Sequence, residues 1–128
     1  RLVIDYKTGA AKSRSNWFGT RLEEPQLPLY AVCSRARSVA YIRLNEEGVA
    51  IDGIAGDDVG IDGIRPLERV RQCEFDNWEA LLAAWRKDLS ALAQEFALGS
   101  CAIDANAPTL AGGAYAPLTR LYTVGTTD

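Results

Sequence analysis

The stretch Leu2-Val3-Ile4-Asp5-Tyr6-Lys7-Thr8-Gly9, with Gln26-Leu27-Pro28-Leu29-Tyr30 beginning seventeen positions after Gly9, decides how this chain is read. Leu2 to Tyr6 has the composition of a strand, and strand side chains alternate between faces, so Asp5 and Lys7 share one. A hard divalent cation takes carboxylate oxygens and keeps several waters. A neighbouring ammonium can orient a water or stabilise negative charge developing on a phosphate. Asp5 is therefore a candidate metal ligand and Lys7 a candidate partner of the attacking nucleophile. Thr8 and Gly9 supply a turn, Gly9 being free to take positive φ, which leaves the pair at a strand end.

An Asp-x-Lys triplet alone is most often a solvated surface pair. The second motif adds specificity: Gln26 and Tyr30 are four apart and stack on one helical face, and Pro25 suits a first turn. The string IDYKTG with a downstream QLPLY resembles the PD-(D/E)XK nuclease superfamily, and within it the RecB/AddB-like nuclease domains of DNA-repair helicase-nucleases. The resemblance is densest over residues 2–31. It implies an α/β fold with a restriction-endonuclease-like core, a mixed sheet flanked by helices. It places Asp5 at the acidic, metal-binding position and Lys7 at the lysine of the D/E-x-K motif. Gln26 and Tyr30 fill the Q-xxx-Y motif close to metal and DNA, and are catalytic candidates beside Lys7. The implied activity is exonuclease-type hydrolysis of DNA phosphodiesters in repair or recombination, with Mg2+ or Mn2+ as cofactor and a helicase domain or subunit as partner. The alternative is a nuclease-fold module that binds DNA or protein without cutting. A third reading is a structural α/β domain in which Asp5 and Lys7 form a surface ion pair.

The family pattern also has an upstream helix with an acidic residue or histidine, and a strand-borne aspartate ahead of D-x-K. Residues 1–128 contain neither, and they include no histidine and no methionine. The expectation is the C-terminal part of a single nuclease-like domain, incomplete at its N-terminus, with residues 1–98 as core and 99–128 as an irregular tail. Many of these relatives bind a 4Fe–4S cluster through four cysteines, three of them clustered after the last helix. Here Gly113, Ala116 and Tyr122 stand roughly where those would fall, so no iron–sulfur cluster is expected.

The net charge of −3 does not by itself advertise nucleic-acid binding. Its distribution is more telling: residues 1–44 carry eight Lys/Arg against three Asp/Glu, and residues 45–128 carry six against fourteen. The basic third holds both motifs, and its Lys12, Arg14 and Arg21, with Arg35 and Arg37, could meet a phosphate backbone. Cys33, Cys73 and Cys101 are widely spaced with no C-x-x-C pair, and read as reduced, mostly buried thiols. The absence of a long apolar run or a secretory leader argues against a membrane and for a cytoplasmic location.

Further along, residues 7–24 read as a basic loop containing Trp17 and Phe18, and Pro25 to Ser34 as a helix apolar on more than one face. Val39 to Leu44 and Val49 to Ile54 read as a hairpin around Asn45 to Gly48. Ile-Asp-Gly-Ile occurs at 51–54 and again at 61–64, within a glycine- and aspartate-rich stretch taken as a surface loop; its Asp52, Asp57, Asp58 and Asp62 do not follow EF-hand spacing. Asp76 with Glu79 forms a capping box for a helix whose Trp78, Leu81, Leu82, Trp85, Leu89, Leu92 and Phe96 recur at helical spacing, with Gly99 to end it. A metal held by Asp5 and little else binds weakly. Residues 1–128 alone are therefore expected to be inactive or nearly so, and robust metal-dependent cleavage by them contradicts this reading.

Overall fold

The computed structural model describes residues 1–8, 13–19, 21–45, 48–71 and 73–100. Strand β1 (Leu2–Lys7) leads through a 3-10 turn (Arg14–Trp17) to helix α1 (Gln26–Ser34). Two prolines fix where α1 begins. The Pro25 carbonyl accepts the Leu29 N–H at 2.9 Å, and Pro28 sits in the first turn, where a missing N–H costs nothing. The helix closes at Arg35, which takes the left-handed conformation at φ 50 and returns its N–H to the Ala31 carbonyl. Leu27, Pro28 and Ala31 are buried, whereas Leu29 and Tyr30 are exposed. The expectation that α1 is covered on more than one face is thereby corrected: one face packs and the other meets solvent.

Strand β2 (Ser38–Asn45) runs parallel to β1, in register from Leu2 opposite Ser38 to Lys7 opposite Arg43. A parallel pair needs a long crossover, and α1 provides it. Strand β3 (Gly48–Ala55) folds back antiparallel on β2, and β4 (Ile64–Pro66) lies parallel to β3. The result is an α/β fold with a four-stranded mixed sheet in the order β1-β2-β3-β4. The aspartate- and glycine-rich stretch is thus not all loop. Its first Ile-Asp-Gly-Ile lies in β3 and its second runs into β4. Glycine is required at both copies: a Cβ on Gly53 would stand 2.6 Å from the Val39 carbonyl oxygen, and Gly63, at φ 85, would drive one into the Ile51 carbonyl. Gly53 N–H donates to the Gly63 carbonyl at 2.9 Å and closes the contact.

Helix α2 (Trp78–Ala97) starts one residue later than the capping box predicts. Asn77 Oδ1 accepts the Ala80 N–H at 2.9 Å, so Asn77 rather than Asp76 is the cap. Glu79 reaches instead to Arg37, at 2.9 Å. Trp78, Leu81 and Trp85 are buried, and Leu82, Leu89 and Leu92 pack partly against the same cluster. Phe96 is 89% exposed, so the apolar stripe outruns the surface it covers. Gly99 follows the helix at φ 65.

Both helices lie on one face of the sheet, around Val39, Tyr41 and Ile54. Trp78 Nε1 donates to the Ala36 carbonyl at 2.7 Å, and Trp85 Nε1 to the Trp17 carbonyl at 2.9 Å, which gives each buried indole its partner. The opposite face holds a small cluster of Ala40, Ala55 and Ile64, and leaves Ile4, Tyr6, Leu44 and Val49 exposed. Among the described residues the sheet is therefore flanked on one side only. Cys33 is exposed and Cys73 half-buried, which corrects the expectation of buried thiols. No described helix is long and apolar enough to cross a membrane. The chain divides into two units, Arg1–Phe96 with the sheet and core, and Ala97–Asp128. Cys101, Gly113, Ala116 and Tyr122 lie outside the described residues. Trp85→Ala is expected to cost about 3–5 kcal/mol in thermal denaturation and Phe96→Ala less than about 0.5 kcal/mol; equal effects would contradict the burial assigned here.

Candidate functional site

Register places the site. Because paired residues in a sheet point to the same side, the face under the helices carries three rows across β1, β2 and β3. Val3, Val39 and Ile54 form the first, Asp5, Tyr41 and Asp52 the second, and Lys7, Arg43 and Ala50 the third. The first row is core. The next two turn polar toward the C-terminal ends of the parallel strands β1 and β2, where open α/β sheets commonly bind ligands.

Asp5 and Lys7 share a face as expected, with Lys7 Nζ 2.8 Å from Asp5 Oδ2. Their side chains are 14% and 24% exposed respectively. Asp5 Oδ2 is shielded from solvent, and the Lys7 ammonium at 2.8 Å is the group that meets it. The bond from Lys7 to the Asp5 carboxylate holds the ammonium above its usual pKa against partial desolvation, and the charges of Asp5 and Glu24 add to the effect. Lys7 is thus a cation at neutral pH, with protons to donate and no lone pair to accept one. It also stands 5.6 Å from the centroid of the Tyr41 ring, within cation–π range.

Tyr41 is the floor of the site. It is 4% exposed, tilted against Trp17 at 4.8 Å between ring centroids, and its hydroxyl accepts Trp17 Nε1–H at 2.9 Å. Burial, aided by the charges of Glu24, Asp5 and Asp52, raises its pKa to about 12 although the Trp17 hydrogen bond opposes the shift. The hydroxyl therefore keeps its proton and can still donate it. On the far side of Tyr41, Asp52 is taken up by Arg14, through Nη1 to Oδ1 at 2.7 Å and the backbone N–H to Oδ2 at 3.2 Å. Arg14 is held there by the 3-10 turn, whose cap Ser13 accepts from Ser15 N–H.

Arg43 lies beside Lys7 and makes no ion pair among the described residues; its Nε is buried with no acceptor. A buried donor left unmet costs about 1–3 kcal/mol, more for a charged group, so the position calls for an explanation. Lys7, Ser13, Tyr41, Arg43, Ala50 and Asp52 line a cavity of about 340 Å3, at the small end of ligand pockets.

The second motif is arranged more loosely. Gln26 Nε2 donates to Tyr30 Oη at 3.4 Å, so the two share a helical face. Both are exposed, and among the described residues no hydrogen bond or ion pair joins them to Asp5 or Lys7. Arg21 pairs with Glu95 at 2.9 Å, and Arg37 with both Asp57 and Glu79 at 2.9 Å. Arg35 is exposed, and Lys12 lies outside the described residues. Tyr41, Arg43, Asp52 and Glu24 were not anticipated from sequence. Alternation along β2 and β3 would have placed Tyr41 with Arg43 and Asp52 with Ala50, had the register been known.

Comparison with protein-family models, with curated proteins and with solved structures finds no match. Among the described residues no group of three or more His, Cys, Asp or Glu converges as a metal site. Asp5 offers one carboxylate whose shielded oxygen faces Lys7; an ion such as Mg2+, commonly held by one or two carboxylates together with substrate phosphates and water, would bind it in exchange for that contact.

The Tyr41 titration makes stability depend on pH. In the unfolded chain Tyr41 ionises near 10, and in the fold at about 12. Between those values the unfolded state has released a proton that the native state keeps, so stability falls as pH rises through the interval, by up to about 2–3 kcal/mol. Lys7 acts in the same direction, because its folded pKa is also raised. Urea unfolding across this range is expected to show the loss, and Tyr41→Phe to flatten most of it; an unchanged slope in the variant would contradict the assignment.

Proposed function

We propose that this chain is the metal- and lysine-bearing part of a metal-dependent deoxyribonuclease of the PD-(D/E)XK type, acting on DNA in repair or recombination. One observation carries the reading: Asp5 and Lys7 share a face at the end of an edge strand, with a partly exposed ammonium held next to a shielded carboxylate oxygen. The β1-α1-β2 order, with a parallel β2 beside the D-x-K strand and Gln26 and Tyr30 on the crossover helix, agrees with it.

Each residue has a separable task. Asp5 would hold the metal ion, which when bound supplies Lewis acidity toward a phosphate oxygen and a more acidic water. Lys7 is protonated and so serves as a donor, orienting the attacking water through its oxygen and stabilising the negative charge that builds on the phosphoryl oxygens. It does not remove the water's proton. Tyr41 and Trp17 keep Lys7 over a rigid floor. Gln26 and Tyr30 are joined side chain to side chain on the exposed face of α1, and would contact a strand of DNA arriving from that side.

The second reading is a nuclease-fold module that binds DNA or protein without cutting, in keeping with Asp5 being joined, among the described residues, by no group of three or more His, Cys, Asp or Glu. The full-length protein decides between the two. Manganese-dependent degradation of end-labelled linear DNA is expected, with Lys7→Ala reducing the rate about 10²–10³-fold while leaving the melting temperature within a few degrees. A folded full-length protein that retains DNA but never cleaves it would move the assignment to the binding module.

A further inference from the structure

We infer that the cavity between Lys7 and Arg43 is a phosphomonoester pocket, which receives the terminal phosphate of a nucleic-acid strand. The inference rests on the nucleic-acid substrate proposed above and adds a specific subsite to it. Lys7 and Arg43 are direct neighbours across the parallel β1–β2 pair and project to the same side. Like charges so placed repel one another unless something negative lies between them. Lys7 has the Asp5 carboxylate on one side; Arg43 has no carboxylate among the described residues, and its Nε–H is buried without an acceptor. The guanidinium thus lacks the planar, two-oxygen partner that suits its fork, and a phosphate is such a partner.

The remaining lining suits the same ligand. The Tyr41 hydroxyl accepts from Trp17 and retains its own proton, which is left to donate. Ser13 Oγ accepts from the Ser15 amide and hydroxyl, and it too has a proton left to give. The one carboxylate on the wall, Asp52, has its charge met by Arg14 at 2.7 Å. Ala50 completes a small apolar patch next to the cations. A chain phosphodiester could be met by surface cations alone, whereas this half-open recess of about 340 Å3 has room for a phosphate group with one sugar behind it. The end of a strand, with a dianionic phosphate and a sugar behind it, enters such a space where a continuous backbone does not.

Binding can be separated from cleavage by working in EDTA. Fluorescence anisotropy of the full-length protein with short single-stranded oligonucleotides bearing a 5′-phosphate, a 3′-phosphate or only hydroxyl ends reads the subsite directly. The expected result is about tenfold tighter binding of one phosphorylated end than of the hydroxyl control. Arg43→Gln should remove that preference without weakening the hydroxyl oligonucleotide, and Arg43→Lys should restore part of it; Arg86→Gln, at an exposed position of α2, should leave it intact. Inorganic phosphate and mononucleotides, added as competitors, show whether the strand itself is needed. Equal affinity for all three ends, or a preference that survives Arg43→Gln in a protein with the wild-type melting temperature, overturns the inference. Cleavage without an end preference would defeat this subsite alone, and an Arg43-dependent end preference without cleavage would defeat only the catalytic reading.

Discussion

Trp17 is held from two directions, and the site depends on it. Its indole N–H donates to the Tyr41 hydroxyl at 2.9 Å, and its carbonyl accepts the Trp85 indole N–H at 2.9 Å. One residue of an irregular segment thereby ties the centre of the sheet to the long helix, with all three rings almost entirely excluded from water. Each buried polar tip meets a partner, so the aromatic burial carries no desolvation penalty from unmet groups. The same contact seats the 3-10 turn against β3, where Arg14 covers Asp52. The polar rows of the sheet are consequently built on a floor that has little freedom to move.

That floor determines the character of the two charged residues on β1. An exposed Asp-x-Lys pair is worth little in water. Here the pair lies beside the Tyr41 ring, with one carboxylate oxygen out of solvent and the ammonium only partly within it. Lys7 is kept charged by the Asp5 carboxylate, whose facing oxygen lies out of solvent. On the function proposed above, a cation would meet the carboxylate and the ammonium would be released toward a phosphate. The neighbouring Arg43 extends the positive surface along its row toward Ala50.

Much of the fold could be read along the chain because it is local. The β-branched and apolar run at 2–6, the prolines that frame α1, the two-strand hairpin and the aromatic spacing of α2 are all set by near neighbours in sequence. What was misread depended on distant partners. β4 looked like loop because its three residues are recognisable only beside β3, through the Gly53–Gly63 contact. The cap of α2 moved from Asp76 to Asn77, a choice between two good capping residues, while Arg37 drew Glu79 away. Phe96 and Cys33 carry the right chemistry for burial, but both are exposed, and no strand or helix among the described residues covers them. Within the site, Asp5 and Lys7 were legible because alternation alone pairs them. Tyr41, Asp52 and Arg43 were not, since a strand's register relative to its neighbours cannot be read from its own residues.

The central claim is that a divalent cation binds at Asp5, on the polar rows of this sheet face. Manganese titrated into isotopically labelled protein broadens the amide signals nearest the bound ion, and so maps the site without requiring any turnover. The account predicts broadening centred on residues 5–7 and on their sheet neighbours at 41–43, abolished by Asp5→Asn. Broadening centred instead on the acidic stretch around Asp57, Asp58 and Asp62, or a pattern at β1 that persists in Asp5→Asn, would contradict it.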